Sequence, residues 1–521
     1  PEWASDRAGR TYDMSTAVVG PPVRTHSPER WDHTPPARTW GMDETTAYRA
    51  GFRTQDEELE NVQLDVEGAF PDWLRGDLVG NGPGQFEAGE TELRHWFDPF
   101  GMLRRFRIED GTVTYANRFV QSEDYAYARR KGGVRTPFPG TPPDRAVWTR
   151  LGQVLGGTFP DNPVIGVQRF GDEFAAVTES PTALLFDPDT LETTGQKDLT
   201  AGLDSDLTLA HVHYDHDAEA FYNLGVSYGR ETVYTLFRRP AADGSPTALT
   251  ELRFDEAPYI HSFGLTEQYA VITVNAFGLD TTDLLRGAFT RETFLDAFQP
   301  LDAPTRFVLL DRETGAHETT VTAPPAFVYH HANAYERDGE IVVDLVAFAD
   351  DSAVTGLALS NLRSDDPDLP VGDLCRYRLP LSGEEATRER LYEGPVEFPM
   401  VNYRRVRGQP HRYVYLAETD RGSSLPTALV KVDVETDTVQ QWRESETYPG
   451  EPVFVAAPDA TAEDDGVLLS VVLDPGADRS VLVCLDAETL DELGRADLPH
   501  RLPYGFHGQF YGPESPGRSM A

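Results

Sequence analysis

Four copies of one turn pattern decide the fold of this chain: Phe186-Asp-Pro-Asp-Thr190, Leu310-Asp-Arg-Glu-Thr314, Val432-Asp-Val-Glu-Thr436 and Leu485-Asp-Ala-Glu-Thr489. In each copy an aspartate follows an apolar strand pattern, and a second strand pattern begins soon after the threonine. Because an aspartate at the start of a turn can bond its own backbone two residues further on, each copy predicts a hairpin. Repeated hairpins of one type over roughly 450 residues favour radial repetition, which leaves only short sheet edges. The sequence therefore predicts an all-β chain folded as a β-propeller, with a blade number that the pattern alone does not give.

Two segments depart from the strand pattern. Residues 1–45 are rich in Pro, Arg, Thr and Asp and predict a disordered leader, so residues 46–521 form the single predicted propeller domain. Residues 278–299 place apolar side chains at largely helical spacing: Leu284, Leu285, Phe289, Phe294, Leu295 and Phe298. This segment has two interpretations, a helical insert that packs on a blade or an apolar lip that touches a membrane or a greasy substrate.

The net charge of the chain indicates its working environment and limits the classes of molecule that it can bind. It carries 86 acidic and 46 basic residues, a net charge of −40, and only Lys131, Lys197 and Lys431 are lysines. An acidic, lysine-poor surface is typical of proteins that work in concentrated salt, where screening removes self-repulsion, so we expect a halophilic microbe as the source. Nucleic acid is excluded as a partner because its phosphates require a basic surface stripe.

The small number of cysteines and the lack of a long apolar run indicate the cellular compartment in which we expect the protein. Cys375 and Cys484 are too few for a disulfide framework or a thiolate metal cage. No apolar run reaches the about 18 residues that a spanning helix needs. We expect a cytoplasmic protein, with at most peripheral contact with the inner face of the cell membrane through residues 278–299.

Four of the 13 histidines stand next to or inside apolar strand patterns: His211, His261, His330 and His507. They are spread over almost 300 residues, which excludes a local zinc knuckle, but a radial fold can bring one residue from each of several inner strands to a common axis. Neutral imidazoles suit iron, zinc, copper or nickel. Strand alternation predicts that His211 and His213 share one face, and that at most one of His330 and His331 points inward.

Three glutamates occur in otherwise apolar or strand-like settings, namely Glu179, Glu397 and Glu451. A buried carboxylate is costly unless it is paired, and a metal-bound imidazole usually donates its second N–H to such a group. The alternative is that all three lie at exposed blade edges.

Two further motifs match enzyme signatures without the required context. Gly225-Val-Ser-Tyr-Gly229 has the spacing of a hydrolase nucleophile elbow, but the residues after it predict a strand where that motif requires a helix. Gly80-Asn-Gly-Pro-Gly84 resembles a dinucleotide-binding loop, but Pro83 and the lack of a following helix predict a simple turn.

Several motifs, in order along the chain, resemble those of the carotenoid cleavage oxygenase family: Leu78-Val-Gly-Asn-Gly-Pro-Gly84, His95-Trp-Phe-Asp98, Asn117-Arg-Phe-Val-Gln-Ser122 and Pro503-Tyr-Gly-Phe-His-Gly508. The resemblance runs from about residue 50 to the end and includes the four histidine contexts. It implies a seven-bladed propeller with a cap of loops and short helices over an axial Fe(II). It also implies an Fe(II)-dependent dioxygenase that splits a polyene double bond with O2 into two carbonyl products.

The resemblance also implies roles for single residues. The iron ligands would be His211, His261, His330 and His507, where His330 is chosen because it stands three residues before Asn333. Glu179, Glu397 and Glu451 would orient His261, His330 and His507 in that order. Tyr259 would stabilise positive character on the polyene, and Thr178 would lie near the vacant iron position.

The amino-acid sequences of residues 259–266 and 458–466 are similar to those of the animal branch of this family. The leading expectation is therefore central cleavage of β-carotene to retinal. The alternatives are cleavage of an apocarotenoid or a stilbene-like polyene, an isomerohydrolase reaction, or a non-catalytic carotenoid-binding propeller.

Overall fold

The computed structural model describes residues 44–155, 157–241, 244–280, 287, 289–383, 385–419 and 425–512. A 3₁₀-helix, Glu44–Phe52, opens this part of the chain. Residues 1–43 of the predicted leader, which was expected to span residues 1–45, lie outside the described residues.

Strands are the predominant secondary structure of the described chain and are arranged in sheets of neighbouring antiparallel segments. Seven sheets among the described residues have four or more strands. The first three, in spatial order, are Leu59–Gln63, Thr112–Phe119, Phe100–Glu109 (with Pro83–Gln85 beside it), Gly76–Gly80 and Gly508–Tyr511; Thr193–Asp198, Thr182–Phe186, Glu173–Val177 and Gly166–Phe170; and Leu207–Thr208, Ala220–Ser227 (with His213–Asp215 beside it), Thr232–Pro240 and Thr247–Phe254.

The other four sheets follow the same pattern. They are Gly264–Leu265, Tyr269–Val274, Thr305–Asp311 and His317–Ala323; Phe327–Arg337, Glu340–Phe348, Gly372–Pro380 and Thr387–Arg390; Val396–Met400, Tyr413–Thr419, Pro426–Asp433 and Thr438–Trp442; and Asp65–Gly68, Glu492–Asp497, Arg479–Asp486, Gly466–Asp474 (with Val453–Ala456 beside it) and Tyr448–Pro449. Two small sheets join Ala257–Pro258, Phe277–Leu279 and Phe298–Pro300, and Glu87–Ala88 with Thr91–Glu92. The count of seven blades stays a prediction from the resemblance.

Short helices lie in the connections between strands: Glu123–Lys131, Val147–Leu155, Ser352–Thr355, Leu359–Leu362 and Tyr403–Val406. Residues at both ends of the first helix, Glu123–Lys131, stabilise it. Ser122 Oγ accepts the N–H of Tyr125 at 3.0 Å, and acidic residues in its first turn and basic residues in its last complement the helix dipole.

The four aspartate turns have the predicted geometry. Asp187 Oδ1 accepts the backbone N–H groups of Asp189 and Thr190 at 3.0 and 2.8 Å. The equivalent hydrogen bonds, which the carboxylates of Asp311, Asp433 and Asp486 accept from backbone N–H groups two and three residues further on, measure 2.8 to 3.2 Å. In three sheets the turn joins the last two strands at one end, and in the fourth it joins Arg479–Asp486 to Glu492–Asp497, beside which Asp65–Gly68 adds one further strand. The repeated sequence therefore marks a repeated position in the architecture.

The two ends of the described chain close the fold. Gly508–Tyr511 pairs with Gly76–Gly80, and Asp65–Gly68 pairs with Glu492–Asp497. Apolar side chains of these two closing sheets, Leu78 and Phe106 in the one and Val467, Leu469 and Leu482 in the other, are buried in one cluster. Each such side chain contributes about 1.5–3 kcal/mol of hydrophobic stabilisation, so closure is held by core packing as well as by backbone hydrogen bonds.

The prediction of one helical segment over residues 278–299 is wrong at both ends. Phe277–Leu279 and Phe298–Pro300 are strands that pair with each other, and Leu284 and Leu285 lie outside the described residues. Phe294 and Leu295 pack against the core cluster that contains Tyr259, whereas Phe289 is exposed. Between these two strands the described residues Gly287, Phe289 and Thr290 are helical, so strand pairing replaces the predicted helix at the two ends of the segment.

The two enzyme-like motifs have the structures that were expected of them. Ser227 is the last residue of the strand Ala220–Ser227, and its hydroxyl donates to Asp204 O at 2.6 Å. A further strand follows at Thr232. The loop at Gly80 leads directly into the strand Pro83–Gln85. Neither motif precedes a helix.

Candidate metal centre

Four histidines from four different sheets meet in the interior. His211 and His261 lie in loops beside the edge strands Leu207–Thr208 and Gly264–Leu265, His330 lies within Phe327–Arg337, and His507 directly precedes Gly508–Tyr511. In each case the histidine lies in, or within a few residues of, the strand at one end of its sheet. The structure therefore brings distant parts of the chain together as the radial argument predicted.

The distances between the imidazoles are short. The Nε2 atoms of His211 and His261 are 2.9 Å apart, and ligand atoms of His211, His330 and His507 all lie within 4.8 Å of one another. The ring centroid of His330 is 4.9 Å from those of His211 and His507, and 5.3 Å from that of His261. Imidazole nitrogens bind metal ions at about 2.0–2.1 Å, so ligands of one ion can approach each other this closely.

Three of the four imidazoles are held by carboxylates. The Nδ1 atom of His261 lies 3.1 Å from Glu179 Oε1, that of His330 lies 2.7 Å from Glu397 Oε2, and that of His507 lies 2.8 Å from Glu451 Oε1. These are the pairs, in order, that the resemblance implied. A donated Nδ1–H fixes the tautomer and leaves the Nε2 lone pair of each ring available.

Tyr259 shares the first of these pairings. Its hydroxyl donates to Glu179 Oε1 at 2.7 Å and also lies 2.7 Å from His261 Nδ1. Burial, and then the charge of Glu179, raises the pKa of the Tyr259 phenol well above its usual value, so it remains a donor. Tyr259 thus helps to orient His261, which sequence reasoning did not anticipate. Thr178 is half-buried between the strand Glu173–Val177 and Glu179, and its role stays a prediction.

The electrostatics of His330 fit a metal ligand. Burial lowers the pKa of this imidazole, and the opposing influence of Glu397 does not reverse that shift. Burial alone would raise the pKa of Glu397, but His330 and the Phe398 backbone N–H lower it. His330 Nε2 is buried and has no hydrogen-bond partner among the described residues. An orphaned acceptor of this kind, facing other imidazoles, fits a site that holds a cation.

Neighbouring histidines are not part of the cluster. His331 accepts or donates hydrogen bonds with Ser262 and Thr273, both at 2.7 Å, so only one member of the His330–His331 pair points inward, as predicted. His213 donates to Phe263 O at 2.6 Å. The expectation that His211 and His213 share a strand face is wrong, because His211 precedes the strand, which begins at His213.

Phe398 belongs to the site although nothing in the sequence indicated it. Its ring stacks on His330 with a centroid distance of 6.0 Å and meets His507 edge-on at 5.6 Å. Its φ of 55° is rare for an aromatic residue, and Pro399 disfavours it further. The backbone N–H of Phe398 donates to Glu397 Oε2, the oxygen that also accepts from His330. The carboxylate therefore holds both the strained backbone and the imidazole.

Two cavities adjoin the cluster, and Phe398 lines both of them. One has a volume of about 460 Å³ and reaches His330, His507 and Glu451. The other, of about 90 Å³, lies beside His507, Trp96, Tyr504 and Phe506. A chain of aromatic rings continues from His261 through Tyr329, Phe97 and Phe506, with successive centroids 4.8, 6.4 and 5.4 Å apart. These surroundings are suited to an apolar, conjugated ligand.

Comparisons with known proteins agree with this site. Residues 51–512 match the sequence model of the retinal pigment epithelial membrane protein family. The β,β-carotene 15,15′-dioxygenase of Mus musculus is 32% identical over 88% of this chain and 90% of its own length. The carotenoid isomerooxygenase of Galleria mellonella is 31% identical over 88% of this chain and 94% of its own.

Solved structures show the same fold. A single-residue variant of Synechocystis apocarotenoid oxygenase superimposes with a TM-score of 0.80 and 25% identity, covering 90% of this chain and 99% of that one. A cobalt-substituted form of the same enzyme gives a TM-score of 0.79, which matches the metal-binding character of the histidine cluster. The relatives named above are dioxygenases and oxygenases, which are oxidoreductases that incorporate O2. The all-β propeller prediction is thereby confirmed, and the chain belongs to the carotenoid cleavage oxygenase family.

Proposed function

We propose that this chain is an Fe(II)-dependent dioxygenase that cleaves the central double bond of β-carotene into two molecules of retinal. The observation that carries the proposal is the convergence of His211, His261, His330 and His507, three of them anchored by carboxylates. Four neutral ligands leave a bound Fe(II) its full charge, without the carboxylate ligand of the facial-triad oxygenases. The substrate is supported by the mouse relative, which is named for this cleavage.

The protein contributes position and environment to this reaction. The four Nε2 atoms would hold the iron, which when bound supplies the electrons that activate O2. Glu179, Glu397 and Glu451 keep the imidazoles in the ligating tautomer, and the aromatic rings beside the cluster exclude water and align the polyene. The double bond between two carbons is broken, and each carbon receives one oxygen atom of O2, so two aldehydes leave and no further reductant is consumed.

The direct test supplies purified, iron-loaded protein with β-carotene under oxygen-18 gas and reduces the products at once to prevent exchange with water. We expect a single C20 product in which each molecule carries one labelled oxygen. Unreacted β-carotene, with turnover of apocarotenals or stilbenes alone, would reject the substrate. An isomerohydrolase would leave β-carotene unreacted and would instead convert a retinyl ester, offered in a parallel assay, to an isomerised retinol that carries no oxygen from O2.

A second candidate substrate is an apocarotenoid, a polyene with one oxygenated end. It is favoured by the close structural match to the Synechocystis apocarotenoid oxygenase. The same assay separates the two candidates when β-carotene and an apocarotenal are offered together, because the chain lengths of the products differ.

We further propose that an exposed apolar patch rests on a lipid surface, from which such substrates are drawn. Trp148 and Phe289 are 76% and 59% exposed. Their segments are joined by an ion pair between Asp144 and Arg291 at 3.2 Å and by a hydrogen bond from Leu295 N to Pro139 O at 3.1 Å. No helix among the described residues has the length and apolarity needed to cross a bilayer.

Vesicle co-sedimentation tests this patch. Because the chain has a net charge of −40, we expect binding to zwitterionic phosphatidylcholine vesicles and weaker binding to anionic ones. The double variant W148S/F289S should lose most of the bound fraction. Val439→Ser, at an exposed apolar position on another sheet, is the matched control and should bind as the wild type does. Equal sedimentation of the double variant and the wild type would remove the patch from consideration.

A further inference from the structure

A buried guanidinium lies outside the histidine cluster and lacks an acidic partner. Arg104, in the strand Phe100–Glu109, is only 5% exposed. Of its five N–H donors, one is used among the described residues, from Nη2 to Pro83 O at 2.8 Å, and the buried Nε has no partner. An unpaired buried charge is strongly unfavourable, so a bound anion would stabilise this side chain.

The neighbouring Arg105 shows what a compensated guanidinium looks like in the same strand. It is fully buried and its Nε likewise has no hydrogen-bond partner, but its other nitrogens donate to the carbonyls of Pro188 and Asp189 and to Asn61, and it lies 3.9 Å from Asp77. No ion pair joins Arg104 to a carboxylate in the part of the chain that the structure describes. The difference cannot be attributed to exposure, because both side chains are buried.

Space for a ligand is present at Arg104. The side chain lines the cavity of about 90 Å³ together with Trp96, Tyr504, Phe506 and His507, and the carboxylate of Glu451, which pairs with His507, lines it as well. Two glycines keep the guanidinium accessible, since a Cβ at Gly82 would lie 3.4 Å from Nη2 and a Cβ at Gly505 would lie 3.0 Å from Nη1. A cavity of this volume has room for a small ion together with water molecules.

We propose that this cavity is a binding site for a small monovalent anion, such as a halide or formate, held by the N–H donors of Arg104. Burial lowers the pKa of Arg104 to about 10, which leaves the guanidinium charged at neutral pH. In a chain with a net charge of −40, general electrostatics oppose anion binding, so the site depends on this one enclosed cation. The anion would link Arg104 to the segment around Gly505, two residues before His507.

Thermal unfolding of the metal-free protein tests the site in solution without reference to the reaction. Sodium chloride is titrated against sodium gluconate at constant ionic strength, so that sodium screening is unchanged. We expect the melting temperature to rise by roughly 1–3 °C with a saturable dependence on chloride. Arg104→Met should remove the saturable rise, whereas Arg253→Met, at an exposed arginine of an outer strand, should retain it.

A bromide soak gives an independent readout that does not depend on how well a variant folds. Crystals of the wild-type chain in sodium bromide should show an anomalous peak in contact with the Arg104 guanidinium, and crystals of Arg104→Lys should show a weaker peak or none. A chloride response that is the same in the wild type and Arg104→Met, or the absence of a bromide peak at Arg104, would overturn the proposal.

Discussion

His330→Ala is expected to abolish stable metal binding and, with it, oxygenase activity. The substitution removes one imidazole and leaves Glu397, whose carboxylate accepts from His330 at 2.7 Å, without its partner. Loss of an outer carboxylate typically weakens metal affinity by 10–100-fold, and loss of a ligand should exceed about 100-fold. Metal content per chain, measured by mass spectrometry after dialysis, is the readout.

The adjacent residue supplies the matched control. His331 is as buried as His330, but its two nitrogens bond Ser262 and Thr273 on the other side of the strand. His331→Gln preserves hydrogen-bonding capacity at that position and should retain the metal, with a change confined to stability. Equal metal loss in the two variants, or none in His330→Ala, would show that the histidine cluster does not hold the ion.

Glu397→Gln should weaken metal retention by about 10–100-fold while leaving the fold intact. The amide is close in shape to the carboxylate but lacks the charge that orients His330. It also holds the strained backbone of Phe398 less firmly, because a neutral oxygen is the poorer acceptor. The rate of metal transfer to a chelator, followed by the absorbance of the chelate, measures this effect.

Glu418→Gln is the comparison for that experiment. Glu418 lies opposite Val396 on the adjoining strand, and its carboxylate accepts from Tyr392, away from the histidines. We expect unchanged chelator kinetics in this variant. If Glu397→Gln exchanges metal as slowly as Glu418→Gln, the assignment of Glu397 to His330 fails as a functional pairing.

The architecture could be predicted because its signal is local and repeated. The aspartate of each recurring turn bonds amides two and three residues away, so the sequence contains the whole interaction. The inward histidines could also be selected, since each follows or interrupts an apolar strand pattern. The segment 278–299 shows the limit of this approach, because strand pairing replaces the predicted helix at both of its ends.

Other features of the site depend on contacts that sequence spacing does not encode. Phe398 contacts Glu397 through its backbone and two imidazoles from distant sheets through its ring, and Tyr259 reaches Glu179 across 80 residues of chain. The charge pattern that suggests a saline environment is a surface property, and salt adaptation stays a prediction. Arg104 carried no sequence signal at all, since its unusual character is the absence of a partner.

The placement of His507 beside the closing strand has a consequence for biosynthesis. His211 and His507 are separated by 507 − 211 = 296 positions, which a ribosome translating 5–20 residues per second covers in roughly 15–60 s. For the last 507 − 330 = 177 positions, roughly 9–35 s at that rate, the nascent polypeptide has three of the imidazoles without the fourth, and the strand Gly76–Gly80 lacks its partner strand Gly508–Tyr511. Cellular delivery of the ion to the finished four-imidazole centre must therefore follow translation of residue 507, and ribosome-bound intermediates would offer other metals an incomplete, less selective set of donors.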